Sequence, residues 1–154
     1  MEQPVVEVET QIDAAPGKVW SALTQAQSPM FMGARMETDW KPGSTYTLKG
    51  EWNGNAFTDY GAIETAVPGK ELSFTHWSKT PEPPKSYNAV RVRIVPDGSG
   101  SRVTLAQLAR GEPQSFDDKA KAEFRKNWTM MLEGLKTAAE AEAEAEAEAE
   151  AEGK

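Results

Sequence analysis

The sequence predicts an α+β fold in which one curved antiparallel sheet packs on a long C-terminal helix. Between residues 116 and 136, large apolar side chains recur in steps of four, three and four, which places them on one face of a helix. They are Phe124, Trp128, Met131 and Leu135, with Leu132 beside them. Upstream segments instead alternate apolar and polar residues with the period of two that a half-buried strand shows. Turn-forming pairs such as Asn53-Gly54 separate these segments.

The chain is expected to open with one strand and two short helices. Alternation of apolar and polar residues predicts the strand from Val5 to Ile12. Pro16 suits the first turn of a helix that ends near Thr24, and Asp13 is its candidate N-cap. A second short helix is expected over residues 28–33, where three large apolar side chains adjoin.

Six further strands and the main helix follow. The strands are Met36–Trp40, Thr45–Trp52, Phe57–Val67, Leu72–Trp77, Tyr87–Val95 and Arg102–Leu108. Pro-Gly and Gly-rich sequences at residues 41–43, 68–70 and 97–100 predict turns, because proline fixes φ and glycine allows positive values. Residues 79–85 hold three prolines and are expected to form a loop at the mouth of the sheet. Ser115 is the candidate N-cap of the main helix.

Charge divides the chain into a predicted domain, residues 1–137, and an acidic tail, residues 138–154. The tail holds seven Glu and one Lys, so the domain carries a net charge of −1 out of the total of −7. Strict Ala-Glu alternation spreads glutamates around a helix, where like charges four residues apart repel each other, and it offers no apolar stripe. The tail is therefore expected to be a frayed, solvated extension of the main helix or disordered.

Composition argues against several classes of function. The nearly neutral domain has no basic patch, so no nucleic-acid partner is expected. No run of eighteen apolar residues predicts a membrane span, and the first residues lack the basic and apolar regions of a signal peptide. Because cysteine is absent, disulfides and thiolate metal sites are excluded and a cytoplasmic location is favoured. No metal or cofactor is expected, since His76 is the only histidine.

His76 is also the only side chain for which the sequence suggests a possible catalytic role. A Ser-His-Asp arrangement would need Ser73 or Ser78 and a distant aspartate such as Asp59, and no Gly-x-Ser-x-Gly elbow occurs. On a strand face shared with Phe74, a histidine is most often a hydrogen-bonded wall residue, less often a ligand contact, and seldom a general base. No catalytic residue is therefore assigned.

Aromatic side chains on several predicted elements indicate a concave apolar space between sheet and helix. Apolar walls with a few polar groups are typical of small-molecule pockets, and the alternative is that the same side chains fill a closed core. The predicted ligand-binding residues are Trp40, Tyr46, Leu48, Phe74, His76, Tyr87, Val92, Leu105, Gln107, Phe124, Trp128, Met131 and Leu132. Within this set, His76, Gln107 and the two tyrosine hydroxyls are expected to orient the ligand.

Local patterns along residues 5–137 resemble one known family. They are Ile12–Pro16 with Val19–Thr24, Trp40–Tyr46, Gly61–Glu64 with Pro68–Phe74, Gly100–Leu105, and Trp128–Lys136. In this order they resemble the activator of Hsp90 ATPase homologue (AHSA1-like) branch of the START/Bet v 1-like (SRPBCC) superfamily. The resemblance implies a helix-grip fold with a cavity between sheet and helix, where different members bind lipids, hormones or polyketides. It supplies no shared catalytic motif.

Three functions follow as hypotheses. The first is binding of an apolar or aromatic small molecule in the cavity. The second is an aromatase/cyclase-like enzyme in which His76 moves protons, which requires His76 to face the cavity beside a second polar group. The third is an Hsp90-linked or stress-related interaction protein, although the Hsp90 activator itself makes much of its chaperone contact through an additional N-terminal domain.

Overall fold

The computed structural model describes residues 3–31 and 33–152. Seven antiparallel strands form one sheet in the order β1-β7-β6-β5-β4-β3-β2. The strands are β1 Val6–Ile12, β2 Arg35–Glu37, β3 Thr45–Trp52, β4 Asn55–Val67, β5 Glu71–Ser78, β6 Ser86–Asp97 and β7 Gly100–Gly111. Helix α1 spans Pro16–Leu23, a single 3-10 turn spans Pro29–Phe31, and helix α2 spans Asp118–Glu152. The predicted α+β class, with the sheet curved around the C-terminal helix, is confirmed.

The hydrophobic core lies between the inner face of the sheet and the helices. Alternate residues of the strands point inward, and Ile63, Phe74 and Val92 are buried there together with Leu132 and Leu135 of α2. This alternation follows from the pleat of a strand, in which successive side chains point to opposite faces. A smaller buried cluster of Ala89, Ala106 and Leu108 lies apart from this core. None of the described helices is long and apolar enough to cross a membrane.

Several element ends differ from the sequence prediction. Strands β6 and β7 each run for 12 residues because their antiparallel pairing continues from Asp97–Gly100 to Ser86–Gly111. Strand β2 ends at Glu37, and Trp40 adopts a positive φ of 60°, which is incompatible with the predicted strand over residues 36–40. The second short helix is one 3-10 turn, and Met32, within the predicted residues 28–33, lies outside the described residues.

Neither helix begins with the predicted cap. Helix α1 follows Ala15, whose backbone is extended and makes no side-chain cap, so Asp13 is not its N-cap. At the start of α2, Asp117 Oδ1 accepts a hydrogen bond from the backbone N–H of Ala120 at 2.8 Å. Asp117 therefore caps α2, and Ser115 lies two residues before the cap.

The first part of the acidic segment is packed rather than solvated. Helix α2 continues without a break through residues 138–152, Ala139 is fully buried, and Ala143 packs against the same core. Alanines four residues apart share one helix face, so the Ala-Glu alternation does contain a narrow apolar stripe. The packed chain thus extends beyond residue 137, where the sequence placed the end of the domain.

Three glutamates on this part of α2 bind the region around α1. The contacts are Asp13 N–H to Glu140 Oε2 at 2.8 Å, Gln25 Nε2 to Glu142 Oε1 at 2.8 Å, and an ion pair of Lys18 with Glu146. The hydrogen bond from the backbone N–H of Asp13, and as a second cause the one from Lys136, hold the pKa of Glu140 below its usual range. The lowered pKa favours the ionised form of Glu140, which links α2 to the segment just before α1.

We expect Ala139→Leu to lower the free energy of unfolding by about 1–3 kcal/mol, because the added side chain overpacks a filled site. Ala141 lies two residues further along α2 and is exposed. Its replacement by leucine should change stability by less than about 0.5 kcal/mol. Urea unfolding followed by tryptophan fluorescence measures both variants. Equal stabilities would mean that α2 does not pack on the domain at Ala139.

Candidate functional site

A small apolar cavity lies between the inner face of the sheet and α2. Its volume is about 150 Å³. Its lining residues are Phe31, Leu48, Phe57, Asp59, Phe74, His76, Trp128 and Met131. They come from strands β3 to β5, from the 3-10 turn and from α2. An apolar cavity of this order of volume is large enough for a single aromatic ring such as benzene.

Strand pairing brings the sheet residues of this lining together. Leu48 of β3 lies opposite Asp59 of β4, and Asp59 lies opposite Ser78 of β5. Phe74 and His76 are two residues apart in β5 and therefore point to the same face as each other. The antiparallel register thus places one histidine and one aspartate on neighbouring strands, side by side at the cavity wall.

Phe74 is the most deeply buried aromatic residue of the cavity lining. Its ring makes edge-to-face contacts with Phe31, at a centroid distance of 5.9 Å, and with Tyr46, at 5.8 Å. The Tyr46 hydroxyl donates a hydrogen bond of 2.6 Å to the Thr75 carbonyl oxygen. Burial, and then the charge of Asp59, raise the pKa of Tyr46 far above its ordinary value. Tyr46 therefore supports Phe74 and the sheet, and its hydroxyl is not free to orient a ligand.

A polar cluster forms one wall of the cavity. His76 Nε2 lies 2.8 Å from Asp59 Oδ2, and the Ser78 hydroxyl donates to Asp59 Oδ1, also at 2.8 Å. Burial alone would raise the pKa of Asp59, but the hydrogen bonds from His76 and Ser78 outweigh it and lower the pKa. An ionised Asp59 accepts both bonds, which places the imidazole proton on Nε2.

The cluster contains a serine, a histidine and an aspartate but does not form a nucleophilic triad. In such a triad the histidine contacts the serine hydroxyl and the aspartate orients the histidine from behind. Here Asp59 stands between Ser78 and His76 and accepts from both. Within the described residues, no group of three or more His, Asp or Glu side chains could hold a metal ion.

The structure brings five of the thirteen predicted site residues to the cavity. They are Leu48, Phe74, His76, Trp128 and Met131. Four more, Tyr46, Val92, Leu105 and Leu132, are buried in the surrounding core, and Trp40 packs partly buried against that core. Phe124 lies one turn before Trp128 and contacts Phe116 instead, at a centroid distance of 5.2 Å.

Tyr87 lies on the outer face of the sheet. Its ring contacts Trp77, the residue after His76 in β5, at a centroid distance of 5.3 Å. Because successive side chains of a strand alternate between faces, Trp77 and Tyr87 point away from the cavity that His76 lines. The predicted orienting role of the Tyr87 hydroxyl in the cavity is therefore wrong.

Gln107 is buried on the inner face, but both ends of its amide have protein partners. Its Oε1 accepts from Trp128 Nε1 at 2.7 Å, and its Nε2 donates to Asn88 Oδ1 at 3.3 Å. These bonds attach α2 to strands β6 and β7. Gln107 therefore positions Trp128. It does not present the free polar group that the sequence analysis expected to orient a ligand.

Three lining residues, Phe31, Phe57 and Asp59, were missing from the sequence-based site. The alternation that turns Gly61 and Ile63 inward continues backward along β4 to Asp59 and Phe57, so the signal for both was present. Phe31 ends the 3-10 turn, where no simple period indicates which way a side chain points.

Phe31 and Phe57 also border a second, more open cleft. This cleft has a volume of about 680 Å³ and lies between the region of the 3-10 turn and the β3–β4 hairpin. The Phe57 ring packs over Gly50, where an added Cβ would lie 2.9 Å from Phe57 Cζ. The two phenylalanine rings therefore separate the small cavity from the larger cleft.

Comparison with known proteins identifies the family. The family model described as "Activator of Hsp90 ATPase homolog 1-like protein" matches residues 13–140. The solution structure of ChR145 from Cytophaga hutchinsonii is 31% identical, with a TM-score of 0.72 over 94% of this chain and 99% of that one. No curated protein sequence matches the chain.

More distant structures share the fold alone. Protein NE0264 from Nitrosomonas europaea is 16% identical, with a TM-score of 0.69 over 90% of this chain and 95% of its own. Ara h 8.0201 is 12% identical, with a TM-score of 0.67 over 87% of this chain and 95% of its own. The sheet curved around α2 is the helix-grip arrangement. The chain therefore belongs to the family of activator of Hsp90 ATPase homolog 1-like proteins.

Proposed function

We propose that the protein binds a small aromatic or apolar molecule in the cavity between strands β3 to β5 and α2. The observation that carries this proposal is the 150 Å³ cavity, whose lining is apolar except for Asp59 and His76. Such walls with a few polar groups are typical of small-molecule sites. Removal of apolar surface from water would contribute about 25 cal/mol per Å², before the costs of association.

The cavity volume limits the size of the ligand. A single ring fits within 150 Å³, whereas a longer molecule needs the space of the neighbouring cleft. Phe31 and Phe57 stand between the two spaces, so a longer ligand requires these rings to turn. We therefore assign a one-ring ligand to the cavity as it stands.

The aromatase/cyclase-like alternative has one observation in its favour. His76 lines the cavity beside a second polar group, Asp59, as that function requires. The volume argues against it, because a chain long enough to be folded into fused rings exceeds 150 Å³. Ligand binding is therefore the function that the geometry supports best.

Titration with fluorobenzene, observed by ¹⁹F NMR, tests the proposal. We expect saturable binding with a shift of the Trp128 indole N–H signal in a parallel ¹⁵N spectrum. Met131→Trp should fill the cavity and weaken binding at least about tenfold, since loss of a buried ring's contacts is worth more than 1.4 kcal/mol.

Met130→Trp is the matched control, because Met130 adjoins Met131 on α2 but is 49% exposed. It should bind fluorobenzene as the wild type does. Absence of binding to the wild type, or equal binding to both variants, would overturn the proposed function.

A further inference from the structure

The His76 imidazole has one ring nitrogen engaged and one without a partner. Nε2 is paired with Asp59, and across residues 3–31 and 33–152 no group is hydrogen-bonded to Nδ1. The His76 side chain is 33% exposed, against 15% for Asp59. His76 thus brings one ring nitrogen without a protein partner to a cavity whose lining, apart from this pair, is apolar.

Asp59 determines what this free nitrogen can do. With the proton on Nε2, the lone pair of Nδ1 is an acceptor and not a donor. A carboxylate behind an imidazole also stabilises the imidazolium that forms when the other nitrogen takes up a proton. Ser78 holds the second oxygen of Asp59, so the carboxylate is fixed in this orientation.

Among the described residues that line the cavity or pair with His76, none besides Asp59 is charged. On β6, Asn88 lies opposite His76 and is neutral. The lining residues from β3, from α2 and from the 3-10 turn are Leu48, Trp128, Met131 and Phe31. Asp59 is therefore the charged residue of the lining that acts on His76.

We infer that the cavity selects a phenol or an enol, whose hydroxyl donates to His76 Nδ1 and passes its proton to the His76–Asp59 pair. This inference rests on the proposed function, and it names the ligand class. In the transfer, the ligand O–H bond breaks and an N–H bond forms at Nδ1, leaving a phenolate or enolate beside an imidazolium. The total charge of ligand, histidine and aspartate stays at −1 throughout.

The flat aromatic lining explains why a ring bearing the hydroxyl fits better than an aliphatic alcohol. Phe31, Phe57, Phe74 and Trp128 supply ring faces and edges for stacking. A phenol or enol is also a much stronger acid than an alcohol, so its proton can move to an imidazole. A neutral amine is a far weaker acid than a phenol, so it would not pass a proton to Nδ1.

Binding of 4-nitrophenol, compared with nitrobenzene, tests the inference. The phenolate of 4-nitrophenol absorbs at a longer wavelength than the phenol, so proton transfer is visible directly. At a pH where the free compound is protonated, we expect the wild type to bind 4-nitrophenol at least about tenfold tighter than nitrobenzene, as one charge-assisted hydrogen bond provides. The bound compound should show the phenolate band.

Asp59→Asn is the decisive variant because it preserves shape and reverses the hydrogen bond. The asparagine amide donates to Nε2, which moves the imidazole proton to Nδ1 and removes the acceptor. The ratio of the two affinities should fall to near one, and the phenolate band should disappear. Asp39→Asn, at an exposed aspartate that is not part of the cavity lining, should keep both the ratio and the band.

Each outcome separates the two proposals. If neither compound binds, the proposed function fails. If both bind equally to the wild type without a phenolate band, or if the preference survives in Asp59→Asn, the ligand class is wrong while the cavity remains a binding site. Should Asp59→Asn not fold, His76→Phe keeps a ring at this position and must lose the same band.

Discussion

Replacement of Gly61 by alanine is expected to lower the free energy of unfolding by about 3 kcal/mol, at the upper end of the usual cost of overpacking. An added Cβ would lie 1.9 Å from the Thr75 carbonyl oxygen and 2.5 Å from the Tyr46 ring. A backbone oxygen cannot rotate away as a flexible side chain can. The substitution must therefore move β5 or displace the tyrosine, whose hydroxyl donates to that same oxygen.

Gly17→Ala is the matched control for this prediction. Gly17 lies in α1, and no heavy atom comes within 4 Å of the Cβ that alanine would add. Alanine should raise stability there by about 0.5–1 kcal/mol, because glycine is the poorer helix former. Urea unfolding monitored by circular dichroism measures both variants. A Gly61→Ala protein as stable as the wild type would contradict the close approach of β4 to β5.

Phe74→Ala should be the most damaging change in the cavity lining, with a loss of about 3–5 kcal/mol. The Phe74 side chain is 2% exposed and supports both Phe31 and Tyr46 by edge-to-face contacts. Its removal enlarges the cavity, and the neighbouring rings can close the gap only in part. The same enlargement should let the variant accept a ligand of two fused rings.

Trp52→Ala provides the comparison, since Trp52 is a larger aromatic residue but 59% exposed. Its loss should change stability by less than about 0.5 kcal/mol. Thermal unfolding with and without naphthalene tests the second part of the prediction. At 100 times its dissociation constant, a ligand of the folded state restores about 2.7 kcal/mol. Equal destabilisation by the two substitutions, or no response of Phe74→Ala to naphthalene, would contradict this account.

Periodicity was sufficient to predict the main elements of the fold. The apolar spacing from Phe124 to Leu135 and the alternation in the strands predicted a sheet on a helix, and both are present. The N-cap of α2 was harder to predict, because Ser115 and Asp117 are equally suitable residue types two positions apart. Only the backbone geometry decides which side chain reaches a free N–H.

The site could be predicted only in part, and the strands explain why. Val90, Val92 and Ile94 lie on the inner face of β6, so the same alternation already excluded Tyr87 from it. The pairing of Asp59 with His76 is different, because it joins residues 17 positions apart through the register of two strands. A sequence period shows which face a residue occupies, but not which residue of the next strand lies beside it.

The hydrogen bond between Trp128 and Gln107 has a consequence for how the interior could widen. Gln107 is 1% exposed, so separating α2 from the sheet at this point leaves the buried Gln107 amide oxygen without its donor, at a cost of about 1–3 kcal/mol. Rotation of Phe31 and Phe57 breaks no hydrogen bond. We therefore expect a larger ligand to be accommodated by rotation of Phe31 and Phe57 beside the β3–β4 hairpin, while α2 keeps its contact with the sheet.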